Sequence, residues 1–217
     1  MDLILSWVQA SGKGTQARRL LQYFGDKMKY CEMGGILRGL QTTDNPIGNY
    51  LKELTTTGQF VKDEIVSGLR KVFMETVADD EMILWDGMLR RIGQTIQITQ
   101  LMRDKQRLFK VIHLEIPDEE AIKRLQARLL CSSCGHSFST LQDPTLHAWG
   151  KCPTCGGKLS VRADDADPQA IRQRIQNFNE ETVPCLERLE QQGLLVRING
   201  MASEDEIFQE ILRHYEA

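Results

Sequence analysis

Two cysteine pairs, Cys131-Ser-Ser-Cys134 and Cys152-Pro-Thr-Cys155, carry the sharpest chemical signal in the chain. Two Cys-x-x-Cys pairs, here separated by seventeen residues, form the ligand set of one tetrahedral structural zinc, because each short turn can aim both thiolates at one ion. Gly135 follows the first pair, and Gly156 and Gly157 follow the second. They give the backbone the freedom such turns need. Four sulfur ligands leave no open coordination position, so the expected role is to hold a fold and do no chemistry. The competing reading is two disulfides, and nothing else in the chain suggests an oxidising destination. His136 and His147 lie in the same segment but are weaker ligand candidates, since four thiols already complete the set. Cys31 and Cys185 are expected to be ordinary reduced cysteines, partly buried.

A second constellation sits near the start. Gly12-Lys13-Gly14-Thr15 follows a short apolar run and opens a helical pattern, which is where a phosphate-binding loop belongs. Backbone N–H groups at a helix N-terminus face an anion, and the helix dipole favours negative charge there. Lys13 would reach the β- and γ-phosphates, and the Thr15 hydroxyl would lie near magnesium. The full Gly-x-x-x-x-Gly-Lys-[Ser/Thr] pattern is not met: Trp7 occupies the first glycine position and Gly14 follows Lys13. A wide loop needs glycine where φ is positive or where the backbone nears a ligand. Trp7 with Val8-Gln9-Ala10 is therefore expected to distort or narrow it. Taken alone, the four residues fit an ordinary helix N-terminus with an exposed lysine equally well.

Both constellations need elements to position them. Short apolar runs alternate with helical patterns, which argues for an α/β fold with a largely parallel sheet. Strands are expected at Leu3 to Leu5, Met82 to Trp85, Val111 to Leu114 and Leu194 to Ile198. Helices are expected at Thr15 to Phe24, Ile65 to Val77, Ile92 to Arg103, Glu119 to Leu130, Ala170 to Gln191 and Glu204 to Tyr215. From Cys131 to Leu159 periodicity vanishes and Cys, Ser, Gly, Pro and Thr dominate. That segment reads as an inserted module held by metal rather than by a core.

Bulk properties narrow the function classes. The chain has 217 residues and a formal net charge of -3, which argues against bulk nucleic-acid or anionic-membrane binding. Between Cys131 and Cys155, Lys151 is the single basic residue among lysines and arginines, so the cysteine module has no footprint for a nucleic-acid ribbon. No apolar run approaches the roughly 18 residues of a membrane span. The opening Met-Asp-Leu-Ile-Leu-Ser lacks the basic region and cleavage site of a secretory signal. A cytoplasmic location is the expectation.

The motifs taken together resemble the adenylate kinase family in its zinc-containing, long-lid form. Gly12 to Ala17, the turn Asp86-Gly87-x-x-Arg90 with Gln94, the four-cysteine insertion, and Arg162-Ala163-Asp164-Asp165 come in that family's order and spacing. The resemblance covers essentially the whole chain. It implies a P-loop kinase core over 1–31, 62–126 and 166–217. It also implies a helical nucleoside-monophosphate-binding segment over 32–61 and a zinc-binding lid over 127–165. The implied reaction is ATP + AMP to 2 ADP with magnesium, by positioning and cationic clamps. The implied partners are the nucleotides ATP, AMP and ADP, with no nucleic acid or membrane, and the implied state is a monomer.

The resemblance also implies roles for matching residues. Lys13, with Gly12, Gly14 and Thr15, would hold phosphate. Arg38 and Arg90 would grip the AMP phosphate, and Gln94 would read the adenine edge. Gln59, Phe60 and Val61 would line the AMP site, with Met33 and Gly87 beside it. Arg128, Arg162 and Arg174 would clamp the ATP side and the transferring phosphoryl. Ser137, Phe138 and the Met201 backbone would lie by the ATP base. Asp86 would order magnesium-bound water, with Asp164 and Asp165 as a lid pair. Each has a plainer alternative: solvated arginines, a surface glutamine at 94, a turn-capping aspartate at 86. Phe138 and Trp149 are expected to form a small apolar cluster in the lid.

The chain also departs from the family pattern. Met33 and Gly35 stand where the family has a small polar residue and an aspartate. Met88-Leu89 replaces a Phe-Pro with cis proline, so the turn presenting Arg90 is expected to differ. Ala127 and Leu129 replace a glycine and an arginine, and Arg91 is an extra arginine. Two readings therefore stay open: a working nucleoside monophosphate kinase, or a catalytically impaired nucleotide-binding paralogue.

Overall fold

A computed structural model of the chain describes residues 1–8, 10–56, 61–161 and 165–216. Strands β1 (Asp2–Trp7), β2 (Met28–Glu32), β3 (Met82–Asp86), β4 (Phe109–Glu115) and β8 (Leu195–Asn199) form a parallel sheet in the order β2-β3-β1-β4-β8. Parallel strands need crossovers, and the crossovers put helices on both faces. Side chains alternate across the sheet accordingly. Ile4, Trp85 and Val111 point into one core, shared with α4 (Asp63–Glu75), α5 (Ile92–Asp104) and Leu189 of α8 (Val183–Gln191). Leu3, Leu5, Leu84 and Ile112 point into the other, against α1 (Lys13–Phe24) and α9 (Glu204–Glu216). Helices α2 (Met33–Gln41) and α3 (Pro46–Thr56) pack together beside the first core, α3 through the buried Leu51. A third cluster joins α6 (Asp118–Gln126) and α7 (Pro168–Asn177) through Ala121, Leu125, Ile171 and Ile175.

Between α6 and α7 lies a separate antiparallel sheet of β5 (Arg128–Cys131), β6 (Ser137–Ser139) and β7 (Leu159–Val161), in the order β6-β5-β7. It has its own small core of Leu129, Cys131, Cys152 and Leu159, with Phe138, Leu146 and Ala148 against it. The sequence pattern extends the helix from 119 to 130, whereas α6 stops at Gln126 and β5 follows. Leu129 and Cys131 are buried on one side of that strand while Arg128 and Leu130 are only half-buried, a period of two that overrides local helical preference. Trp149 does not join the cluster. It is 72 % exposed and lies under Lys158, whose Nζ is 4.0 Å from the ring centre.

Two other differences have local causes. The helix expected over 170–191 is broken by a π-turn at Phe178–Thr182, just before Pro184, which has no N–H to continue the ladder. Strand β2 escapes the apolar-run criterion because Met-Lys-Tyr-Cys-Glu mixes charge with apolar side chains, as an edge strand tolerates. Among the described residues no helix is long and apolar enough to cross a membrane.

One buried titratable group ties the sheet together where β1 leaves it. His113 of β4 is 4 % exposed; its Nδ1 lies 3.1 Å from the Ser6 carbonyl, and its ring stacks on Phe178. Burial pushes its pKa below the usual value. A base with a depressed folded pKa holds fewer protons than the unfolded chain just below about pH 6.5, so its contribution to stability is complete above that value and is lost as pH falls through it. His113→Asn is expected to flatten the fall in Tm between about pH 7 and pH 5 relative to the parent chain. Parallel Tm–pH curves would contradict the assignment.

Candidate active site

The loop from β1 to α1 brings the N-terminal constellation to the C-terminal edge of the sheet, where open α/β sheets bind ligands. Gly12 takes φ 100 and caps α1, and its carbonyl accepts from the Thr15 and Gln16 N–H groups at 3.1 and 3.2 Å. The first N–H groups of a helix have no intrahelical partner, and α1 has no acidic residue in its first turn, so this end suits an anion. Lys13 Nζ lies 2.8 Å from Asp86 Oδ1 at the end of β3, and the Tyr30 hydroxyl donates to Asp86 Oδ2 at 2.7 Å. Burial, then the neighbouring Asp86, push the Tyr30 hydroxyl well above its usual pKa, keeping it a neutral donor. Among the described residues Ser11 Oγ is buried without a hydrogen-bond partner. The loop does carry strain: Ala10 has φ 64, a left-handed conformation that costs a non-glycine residue about 1 kcal/mol or more.

Beyond Asp86 the chain turns through Gly87, Met88, Leu89 and Arg90 into α5. Its peptides are trans, and a residue that sequence reasoning missed supports it. Arg70 of α4 is 1 % exposed; its Nη2 donates to the Met88 carbonyl at 2.7 Å, its Nη1 to the Gln94 carbonyl at 3.4 Å, and its Nε lies 3.1 Å from the Met88 sulfur. Burial lowers its pKa to about 10. No motif announces it, because its position is an ordinary inward one on an amphipathic helix. Arg90 is held at both backbone ends: its N–H donates to Gln94 Oε1 at 3.3 Å and its carbonyl accepts from Thr182 Oγ1 at 3.1 Å. The extra arginine, Arg91, pairs with Asp63 Oδ1 at 2.7 Å, and Gln94 Nε2 donates to the same oxygen at 2.8 Å. Arg38 is exposed on α2 and pairs with Glu32 at 2.7 Å. Met33 and Val61 are buried in the adjoining core.

A third group forms where the small sheet meets α7. Asp165, its side chain fully buried, accepts from Arg128 Nε and Arg174 Nη1, each at 2.7 Å. Two guanidiniums converge on one carboxylate, leaving an excess of positive charge. Leu129, next to Arg128, is a core residue of the small sheet, 3 % exposed. Ser137 and Phe138 lie on β6, Phe138 packed on that core. Past β8, Met201 lines a cleft of about 550 Å³ with Glu115, Pro117, Arg197 and Asn199. Arg124 of α6 reaches the same rim: its Nη1 lies 3.4 Å from the Gly200 carbonyl, a contact the sequence pattern did not single out. Gln59, Phe60, Arg162 and Asp164 lie outside the described residues.

The four cysteines meet. Their Sγ atoms all lie within 4.8 Å of one another, with Cys131–Cys155 at 3.5 Å and Cys134–Cys152 at 3.7 Å. Four sulfurs about 2.3 Å from one tetrahedral ion would stand about 3.8 Å apart, so the set fits zinc. The two turns are built alike. Gly135 N–H donates to the Cys131 carbonyl and Gly156 N–H to that of Cys152, at 3.0 and 2.9 Å, with φ 70 and 75 at the two glycines. Cys131 has its pKa lowered to about 6, first by the Cys134 backbone N–H and further by the Ser133 N–H and the neighbouring thiols. At 3.5 Å and 3.7 Å the sulfurs stand well beyond the roughly 2.05 Å of a disulfide bond, which disfavours the disulfide alternative.

Sequence comparison identifies the family. The adenylate kinase family model matches residues 7–194. The adenylate kinase of Syntrophobacter fumaroxidans is 33 % identical over 212 residues, covering 97 % of this chain and 98 % of the relative. That of Methanosarcina barkeri is 32 % identical, covering 97 % and 96 %. That of Methanothrix thermoacetophila is 33 % identical with the same coverage. The chain belongs to the adenylate kinase family. It is therefore a phosphotransferase of the nucleoside monophosphate kinase class, and family membership implies use of ATP and magnesium.

Within the adenylate kinase fold, Arg70 is the part that local sequence signals would not reveal. Arg70→Ala takes the donor from the Met88 carbonyl and opens a cavity, so a loss of roughly 3 kcal/mol is expected. Denaturant melts of parent and variant would check it, and a loss under about 1 kcal/mol would remove Arg70 as the support of the Arg90 turn.

Proposed function

We propose that the protein transfers the terminal phosphoryl group of magnesium ATP reversibly to AMP, giving two ADP. The observation that carries this reading is the Lys13–Asp86 pair, which joins the start of α1 to the end of β3 at the sheet's ligand-binding edge. Lys13 and the first N–H groups of α1 hold the ATP phosphates, with Gly12 and Gly14 keeping the loop close. Arg38 and Arg90 grip the AMP phosphate, and Gln94 faces its base, beside Met33, Gly87, Val61 and the neighbouring Gln59 and Phe60. Arg128 and Arg174, with Arg162, hold the transferring phosphoryl. Their charge is strongest where water is excluded. Magnesium, when bound, neutralises charge developing between the phosphates; the oxygen donors of Asp86 and Thr15 are of the kind it prefers.

The same reading divides the chain into a core (1–31, 62–126 and 166–217), a monophosphate-binding segment (32–61) and a lid (127–165). Closure of the lid, which carries Ser137 and Phe138, over the Met201 side of the cleft would keep water from the phosphoryl group. Zinc in the Cys131, Cys134, Cys152 and Cys155 set would hold that lid together. The protein would work as a cytoplasmic monomer with nucleotides as its partners. A second reading, an impaired nucleotide-binding paralogue, is favoured by one observation, the strained Ala10 in the phosphate loop.

Formation of ADP from AMP and magnesium ATP decides between them. A working kinase is expected, with Lys13→Ala and Arg90→Ala each lowering turnover roughly 100-fold or more. A near-parental rate in either variant would remove that residue from the site. No turnover by a folded, metal-loaded parent would support the second reading.

Cys131→Ser is expected to lower bound zinc and Tm while the parallel-sheet core stays folded. Metal analysis showing unchanged zinc would reject the four-sulfur site.

A further inference from the structure

Gln94 is 5 % exposed, and both ends of its amide are engaged by the chain itself. Nε2 donates to Asp63 Oδ1 at 2.8 Å and Oε1 accepts the Arg90 N–H at 3.3 Å. Arg91 Nη2 meets the same Asp63 oxygen at 2.7 Å. Asp63 Oδ2 lies over Gly93, 3.4 Å from where a side-chain carbon there would stand. A carboxylate paired with a guanidinium only accepts hydrogen bonds. Turning the Gln94 amide over would set its oxygen against that carboxylate and its NH2 against the Arg90 N–H. Both contacts would become repulsive at once. The amide therefore has one allowed orientation, with one N–H and one lone pair left to offer in a fixed order.

We propose that Asp63, with Arg91 behind it, is a specificity-determining positioning residue that pins the Gln94 amide and so commits the monophosphate pocket to a 6-aminopurine over a 6-oxopurine. The proposal rests on the reading of Gln94 as the residue that faces the AMP base. Adenine presents an acceptor at N1 beside a donor at N6. A 6-oxopurine presents a donor at N1 beside an acceptor at O6, the reverse order. A glutamine free to turn over serves either edge, so its discrimination is weak. One that is pinned serves a single edge and leaves the other facing donor to donor and acceptor to acceptor. Unmet buried polar groups of this kind give the largest discriminations between substrates. Arg91's place in the network is to hold Asp63 over the N-terminus of α5.

The test compares AMP with IMP, which differ only at that edge. Dissociation constants by calorimetry and kcat/KM with magnesium ATP are measured for the parent, Asp63→Asn, Asp63→Ala and Gln94→Ala. Asp63→Asn keeps the shape but removes the charge that opposes a turned-over Gln94 oxygen, leaving the Arg90 N–H as the remaining hold on the amide. The parent is expected to favour AMP, and Asp63→Asn to shrink the AMP-to-IMP affinity ratio about tenfold or more, mainly by tighter IMP binding. Asp63→Ala should shrink it as well. Equal weakening of both nucleotides in both Asp63 variants would show a merely structural role and overturn the proposal. Gln94→Ala separates the two levels of inference. Unchanged AMP binding there would remove Gln94 as the base reader and the proposal with it. A loss in Gln94→Ala beside unaltered ratios in the Asp63 variants would overturn the proposal alone.

Discussion

A carboxylate taken almost wholly out of water at the end of a central strand must be met by donors or take up a proton. Asp86 is such a group, and its two partners come from different elements. Lys13 opens α1 and Tyr30 belongs to β2, so satisfying one side chain fixes the phosphate loop, the β3 end and an edge strand relative to one another. That requirement explains how a loop with Trp7 in the first glycine position still sets its lysine at the C-terminal edge of the sheet. Ala10 absorbs the misfit as a left-handed residue, while the register of β1 against β3 and β4 is kept by apolar side chains on both faces.

The same arrangement recurs twice. Asp165 gathers Arg128 and Arg174, and Asp63 gathers Arg91 and Gln94. In each case a buried or half-buried acidic group holds long side chains, at least one of them cationic, in one geometry, which a surface ion pair would not do for long. Cationic groups restrained before the ligand arrives need less reorganisation when negative charge develops. Arg70 serves the turn that bears Arg90 by a different route, meeting carbonyls where a rigid proline would otherwise set the backbone. It spends a buried charge on shape.

The metal module is physically independent of this logic. Its apolar core is small, four buried residues with three partly buried ones against it. Too little area is removed from water there to order nearly thirty residues of turns. The four sulfurs are what such a segment needs, and the matched N–H to carbonyl contacts of the two cysteine turns show the backbone shaped for them.

The sequence alone determined the parts whose signals are local. The cysteine spacing, the apolar runs of β1, β3 and β4, the periodicity of α1, α5 and α9, and the placing of Lys13 before a helix all depend on neighbours in the chain. The family resemblance rested on the same motifs. Tertiary structure decided what depends on distant partners. The sheet overrode the helical pattern at Leu129 by burying alternate side chains, and the mixed pentapeptide of β2 became a strand because β3 offered it an edge. Arg70 and Asp63 acquired their roles only when folding brought α4 against the turn before α5, eighteen or more residues away. A hydrogen bond between such partners leaves no period or spacing in the sequence. It exists because a buried polar group must find a complement wherever the fold puts one.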